Sequence, residues 1–263
     1  MTYCVAISTQ DGLVFCSDSR TNAGPDMLSS YSKMHIFNPC PDRMFVILAA
    51  GNLATTQSIV SRLELELEGS EKDNLCTSSK LVEAARYVSQ VIREEVELAK
   101  ASTSASSVDT SVSLIFGGQI QGGPPAIYMM YSAGNFITDS DENPFLQIGE
   151  SKYGKPILDR ILTRETSLED AARCAIVSMD STIKSNATVG PPIEVLVYEN
   201  DTFESDHYIK MEDDDSYLRA VKQAWSEALV SAFAKLPLFH WEKRSTSPSL
   251  QAVTDSFKNS NKP

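Results

Sequence analysis

The sequence predicts an α+β fold, a four-layer αββα sandwich in which two antiparallel sheets stack face to face with helices outside. Three observations carry that prediction. Strand-like and helix-like segments come in blocks (strands, a helix pair, strands, a helix pair, strands, a helix), not in the strict alternation of a parallel α/β sheet. The first strand is apolar on both faces, with Tyr3, Val5 and Ile7 on one and the small Cys4 and Ala6 on the other, so its sheet is covered on two sides. At 263 residues, 42% apolar and 22% charged, the chain suits one large domain or two small ones and is too apolar to stay disordered.

Each element follows from the hydrophobic period, which switches between two and about 3.6 along the chain. Thr2 to Thr9 and Leu13 to Arg20 are β-branched-rich runs around Gln10-Asp11-Gly12, a hairpin signal. Tyr31 to Asn38 and Arg43 to Ala50 make a second pair around Pro39 to Asp42. Two helices follow: Leu53, Ile59, Val60, Leu63 and Leu67 mark one stripe, and Leu81, Ala85, Val88, Ile92, Val96 and Ala99 the next. Beyond a small polar linker, Ser102 to Ser107, strands are expected at Thr110 to Gly118 and Ala126 to Ser132, joined by the turn Gly122-Gly123-Pro124-Pro125. Met129 and Met130 read there as strand core.

Tyr153 to Leu162 suits a helix with Pro156 in its first turn. Ser167 and Asp170 form a capping-box-like start for a helix from Leu168 to about Lys184, with Leu168, Ala172, Ala175, Met179 and Ile183 inward. Ile193 to Tyr198 reads as a buried strand, His207 to Met211 as a short one, and Tyr217 to Leu236 as a last amphipathic helix. The acidic run Glu212 to Asp215 stands where it favours that helix's positive end. Trp225 and Trp241 suit packing or subunit contact. The expected domain runs from 2 to 243, and the Ser-, Asn- and Lys-rich stretch 244–263 reads as a mobile tail.

Composition narrows the function. Lys and Arg total 23 against 35 Asp and Glu, a net charge of −12, which argues against a nucleic-acid partner because few cations are available to displace a polyphosphate's counterions. The longest strictly apolar stretch, Met44 to Ala50, is far below the roughly 20 residues of a membrane helix, and the opening MTYCVAISTQDG lacks the form of a secretory signal. A cytoplasmic protein with no membrane partner is expected. Five scattered cysteines (4, 16, 40, 76 and 174) without a C-x-x-C pair read as reduced apolar residues, and three dispersed histidines offer no zinc spacing, so neither metal nor cofactor is expected. The sequence carries no G-x-S-x-G elbow, P-loop or H-E-x-x-H helix.

The start of the chain is distinctive. Methionine followed by a small residue favours removal of Met1, leaving Thr2 with a hydroxyl and a free α-amine at the head of a strand. Such an amine has an unperturbed pKa of about 7.7–8.0, so part of it is neutral at pH 7 and able to act as a base for its own hydroxyl. Thr2, Ser17-Asp18-Ser19-Arg20 ending the second strand, Lys33 opening the third and Leu48-Ala49-Ala50-Gly51 closing the fourth together resemble proteasome β-type peptidases, which are N-terminal nucleophile hydrolases. The resemblance spans about Thr2 to Tyr198 and extends to Ile148-Gly149-Glu150-Ser151-Lys152-Tyr153, similar to the family's glycine- and serine-containing loop before a helix. Glu150 stands where the family usually has a small residue. The bacterial branch Anbu is the most similar, with HslV as a relative.

This resemblance implies a threonine peptidase acting on peptides or unfolded proteins and assembled as a homo-oligomer in a ring or open-ring array. Any ATP-driven unfoldase feeding it is a separate chain. Thr2 would be nucleophile and, through its amine, base; Lys33 would make protonation of that amine less favourable; Asp18 would hold Lys33 charged and oriented; the Gly51 N–H would form the oxyanion hole. Ser151 and Asp180 match two further site positions of the family. The alternatives are a catalytically weak assembly or peptide-binding subunit and a small-molecule amidohydrolase. Register tests the peptidase reading: a two-residue Asp11-Gly12 turn pairs Thr2 with Thr21 and turns Asp18 away, whereas a three-residue loop, Gln10 to Gly12, pairs Thr2 with Arg20 and Cys4 with Asp18 on one face. The reading requires the three-residue loop.

Overall fold

A computed structural model describes residues 1–22, 28–68, 74–103 and 108–241. The chain divides into two compact units, 1–213 and 214–263. In the first, the first hairpin is β1 (Tyr3–Ser8) and β2 (Gly12–Asp18), followed by a small ribbon of β3 (Arg20–Asn22) and β4 (Leu28–Ser30). The chain continues through β5 (Met34–Cys40), β6 (Arg43–Gly51), α1 (Leu53–Glu68), α2 (Leu81–Ser102), β7 (Val112–Ile120) and β8 (Ala126–Tyr131). After β9 (Phe136–Thr138) and β10 (Phe145–Gly149) come α3 (Ser151–Ile161), α4 (Leu168–Ser185), β11 (Ile193–Glu199) and β12 (His207–Met211). The second unit contains α5 (Ser216–Ala234).

Two five-stranded antiparallel sheets, ordered β10-β1-β2-β11-β12 and β5-β6-β7-β8-β9, form the sandwich. Their facing surfaces close one core: Cys4, Ala6, Leu13 and Phe15 from the first sheet meet Met44, Val46, Leu48 and Ile115 from the second. A second core lies between the outer face of the β5–β9 sheet and the α1–α2 pair, where Phe45, Ile47 and Phe116 pack with Ile59, Leu63, Val88 and Ile92. Helices α3 and α4 cover the other sheet, α4 against β1, β2 and β11. Every residue of β1 and β2 is buried, as expected of a sheet covered on both sides. The fold is the α+β sandwich with helices on both outer faces.

The β1–β2 register differs from both expectations. Ser8 pairs with Leu13 and Cys4 with Ser17, and Thr9 N–H donates to the Gly12 carbonyl at 2.9 Å. The loop is therefore the two residues Gln10 and Asp11. Gly12 belongs to the ladder because β11 runs along its other side and pairs Glu199 with it. Extended one step, this register sets Tyr3, rather than Cys4, opposite Asp18, which corrects the expectation that the site needs a three-residue loop: the Asp18 carboxylate reaches the strand head by accepting the Tyr3 N–H at 3.0 Å.

Other differences have local causes. β10 and β9 escape the sequence reading because Phe145–Gly149 and Phe136–Thr138 are short and irregular in period, yet β10 forms the edge of the first sheet. Helix α3 begins at Ser151, so Pro156 lies inside it, past the first turn. Ser167 caps α4 as expected, its side chain accepting from Asp170 N–H at 3.2 Å, and Asp215 caps α5 through Leu218 N–H at 2.9 Å.

Cys40 and Cys76 are joined by a disulfide, which corrects the expectation of five reduced thiols; Cys4, Cys16 and Cys174 are free and buried. Cys40 is the last residue of β5, just past a register shift in its pairing with β6, and Cys76 lies in the turn before α2. The last four residues of the expected Ser102–Ser107 linker and the tail 244–263 lie outside the described residues. Among the described residues no helix is long and apolar enough to cross a membrane.

Candidate functional site

Asp18 organises the polar cluster at the head of β1. Its carboxylate is fully buried at the end of β2, where the ladder stops and the side chain reaches donors from three segments. Oδ1 accepts from the Tyr3 backbone N–H at 3.0 Å and from Lys33 Nζ at 2.7 Å, and Oδ2 accepts from the Gly190 N–H at 3.2 Å. Lys33 Nζ also donates to the Arg20 carbonyl at 2.8 Å. Burial pushes the Asp18 carboxyl above its ordinary range, while the Lys33 ammonium and the two backbone donors pull against that shift. The Lys33 side chain is 9% exposed, so both partners of this ion pair are withdrawn from water.

Lys33 is placed by β6. Its carbonyl accepts the Ala49 N–H at 2.9 Å, one step before β5 begins at Met34. Alternation along β6 then sends the Gly51 N–H to the same side as that of Ala49, past the beginning of β5, whereas Asn52 N–H turns to Ser111 O at 3.0 Å. Gly51 has φ +112°, and a Cβ there would meet the Ser111 carbonyl and the Val112 Cα. Only glycine puts a backbone donor at that point without strain.

Thr2 is held from the other side by β10 and its loop. The Thr2 carbonyl accepts the Glu150 N–H at 2.8 Å, and Tyr3 pairs with Gly149. Gly149 adopts φ +80°, and a Cβ on it would overlap the Thr2 carbonyl. Ser151 follows as the first residue of α3, its carbonyl accepting from Gln147 Nε2 at 3.4 Å. The Glu150 side chain bends to Lys152, 3.4 Å from its Nζ.

Thr2, Asp18, Lys33, Gly51 and Ser151 thus gather around one end of the sandwich, where both sheets and the α3 N-terminus meet. Asp180 is buried in α4 and pairs with Lys184 Nζ at 3.1 Å, one turn on; the hydrogen bonds of the Asp18 cluster do not include it.

Several contributors were not legible in the sequence. Tyr3 turns its ring to α4, where its hydroxyl meets Ser178 Oγ at 2.6 Å and accepts from Gln147 Nε2 at 2.6 Å, tying α4 and β10 to the strand that bears Thr2. Burial raises that phenol well above its ordinary pKa, so it stays neutral. Arg20 donates to the Ala187 carbonyl at 2.9 Å and so holds the segment that carries Gly190. Glu194 is buried beside the cluster, bonded to Ser19 and Ser32. The one sequence signal for the 187–190 segment was the Gly190-Pro191-Pro192 punctuation; a tyrosine in a strand announces no partner.

The arrangement can support acyl transfer. A strand-head hydroxyl, a buried ammonium held by a carboxylate, and a backbone N–H directed away from its own ladder are the parts of a nucleophile with an electrostatic activator and an oxyanion donor.

Comparison with known proteins supplies the relationship. The family described as "Proteasome subunit" matches residues 2–198. The proteasome subunit beta of Haloquadratum walsbyi is 27% identical over 209 residues, spanning 77% of this chain and 75% of that protein. Among solved structures, Anbu (ancestral beta-subunit) from Yersinia bercovieri is 42% identical with a TM-score of 0.85, covering 90% of this chain and 99% of that one. Anbu from Pseudomonas aeruginosa, solved as a helical assembly, is 44% identical with a TM-score of 0.86, covering 91% and 98%. Anbu from Hyphomicrobium sp. strain MC1 is 42% identical with a TM-score of 0.82, covering 90% and 99%.

Proposed function

The chain belongs to the proteasome subunit family, within its Anbu group, and from that premise we propose that it is an N-terminal threonine peptidase whose nucleophile is Thr2 after removal of Met1. The observation that carries the reading is the buried Asp18 carboxylate, which joins the backbone of the residue after Thr2 to the Lys33 ammonium through one oxygen. In this reaction Thr2 Oγ attacks the scissile carbonyl carbon while the Thr2 amine takes the hydroxyl proton. The carbonyl oxygen becomes an oxyanion that the Gly51 N–H stabilises. The amine returns the proton to the leaving nitrogen, an ester to Thr2 remains, and water hydrolyses it with the same amine as base.

Lys33 acts electrostatically. An ammonium close to the Thr2 amine makes a second positive charge costly, which enlarges the basic fraction of that amine. Asp18 keeps the ammonium in place, and Ser151 supplies a hydroxyl at the start of α3. Asp180 supports the helix that Tyr3 grips. Peptide or unfolded protein is the proposed substrate and a cytoplasmic homo-oligomer the proposed state, by analogy with the helical assembly of the Pseudomonas aeruginosa relative.

The test is intact mass and N-terminal sequencing of the assembled protein, followed by reaction with a peptide electrophile directed at hydroxyl nucleophiles. The expected result is a chain beginning at Thr2 that gains one adduct on Thr2. Met1 on every copy, or adducts only elsewhere, would overturn the proposal.

A further inference from the structure

Glu194 is 3% exposed and sits in β11 opposite Ser17 of β2. Its neighbours along the strand, Ile193, Val195 and Leu196, are apolar, and a carboxylate among them is costly unless its oxygens are fully occupied. The oxygens are occupied by hydroxyls. Ser19 Oγ donates to Oε2 at 3.0 Å; Ser32 Oγ lies 3.0 Å from Oε1 and 2.8 Å from Oε2; the Tyr208 hydroxyl donates to Oε1. Ser32 Oγ in turn accepts the Met34 N–H at 3.2 Å, which anchors it to the first residue of β5.

Two of these three donors have telling positions in the chain. Ser19 directly follows Asp18, and Ser32 directly precedes Lys33. Asp18 is the last residue of β2, paired with Ile193 of β11, and Lys33 stands just before β5 begins in the other sheet, so strand hydrogen bonding does not hold the two against each other. One buried carboxylate grips both flanks.

We propose that Glu194 is a positioning residue for the Thr2 reaction: by binding the hydroxyls of Ser19 and Ser32 it clamps the two segments that present Asp18 and Lys33, and so sets the ammonium at its distance from residue 2. The inference rests on the peptidase reading for its effect on rate, but the clamp itself is a property of the folded chain. A clamp of this kind costs the fold the desolvation of an acid and returns a fixed geometry for the ion pair. Displacing an activating group by about an ångström lowers a rate by as much as about 100-fold. Tyr208, 39% exposed, closes the far side of the carboxylate toward solvent.

The experiment uses the full-length protein with Glu194→Gln, Ser19→Ala and the double variant Ser19→Ala/Glu194→Gln. Covalent labelling of Thr2 by a peptide electrophile is resolved into its maximal rate and its half-saturating concentration. Acetylation of Lys33 by acetic anhydride is followed by mass spectrometry on the same samples, with thermal melting and sedimentation as controls for fold and assembly. Expected are a maximal labelling rate reduced about 10- to 100-fold by Glu194→Gln with little change in half-saturation, faster acetylation of Lys33, and a double variant no worse than Glu194→Gln alone. Ser19→Ala, a smaller change, keeps the test valid if Glu194→Gln does not fold. Wild-type labelling and wild-type Lys33 protection in both single variants overturn the clamp while leaving the peptidase reading standing. If wild-type Thr2 never labels but Lys33 becomes reactive in the variants, the peptidase reading fails and the clamp is supported.

Discussion

Asp18 shows how one residue joins three parts of the chain. Its Oδ1 accepts one hydrogen bond from the Tyr3 backbone N–H of β1 and another from Lys33 Nζ, so the carboxylate fixes the ammonium relative to the strand head. Replacing Lys33 by alanine removes the counter-charge from a fully buried acid. Lys33→Ala should abolish electrophile labelling of Thr2 and lower the unfolding free energy by about 3 kcal/mol, the usual cost of orphaning a buried charge. Lys33→Arg should recover the stability in part and the labelling poorly, because a longer planar guanidinium keeps the charge but misplaces it. Labelling rates with urea denaturation of the same variants check both halves; wild-type labelling by Lys33→Ala would show that the ammonium plays no part in activation.

At the scale of elements, β10 does what the hairpin alone cannot. It adds the edge strand beside β1 and delivers Gly149 so close to Thr2 that no side chain fits. Gly149→Ala should lose at least about 1–3 kcal/mol from the φ +80° backbone, with more from the overlap, and should disorder the head of β1. Urea unfolding reads the loss, and hydrogen exchange at the Glu150 amide, which donates to Thr2, reads its location.

Strand β5 carries a separate consequence. Burial lowers the His35 pKa from 6.5, against the opposing pull of Glu64 and Glu194. A base with a depressed folded pKa is charged more readily in the unfolded chain, so its contribution to stability is present above the unfolded value and lost as pH falls through the folded one. The urea midpoint should therefore drop between about pH 7 and pH 5, and His35→Gln should flatten that part of the profile. An unchanged profile in the variant would assign the acid sensitivity to other groups.

At the scale of the whole molecule, the described part of the second unit exposes a run of large apolar side chains. Among the residues of α5 only Leu218 is buried, while Leu229, Phe233, Leu236, Leu238, Phe239 and Trp241 are each more than half exposed. The rings of Phe239 and Trp241 stack at 4.7 Å. A monomer rarely leaves so continuous an apolar stretch in water. The proposed homo-oligomer would bury this stretch if copies of the chain met through it. Leu229→Ser with Phe233→Ser should shift sedimentation to smaller species while leaving the melting of residues 1–213 nearly unchanged, since both side chains are exposed. Assemblies of unaltered size would place the contact elsewhere.

Periodicity was enough to predict the sandwich, because a sheet covered on both sides cannot hide Val5 and Ala6 in the same strand without leaving that mark. Most strands and helices, the Ser167 cap and the chain segments bearing Thr2, Asp18, Lys33 and Gly51 were legible for the same reason: their signals are local. What required the tertiary structure was every relation between segments distant in sequence. The β1–β2 register turned on Gly12 pairing with Glu199, nearly two hundred residues away, and the joining of Cys40 to Cys76 on bringing together residues 36 apart in sequence. The grip of Glu194 on Ser19 and Ser32 and the approach of the Gly190 N–H to Asp18 have no local sequence signal at all, since hydrogen bonds made by side chains depend on where the folded backbone brings their partners and not on the residues beside them.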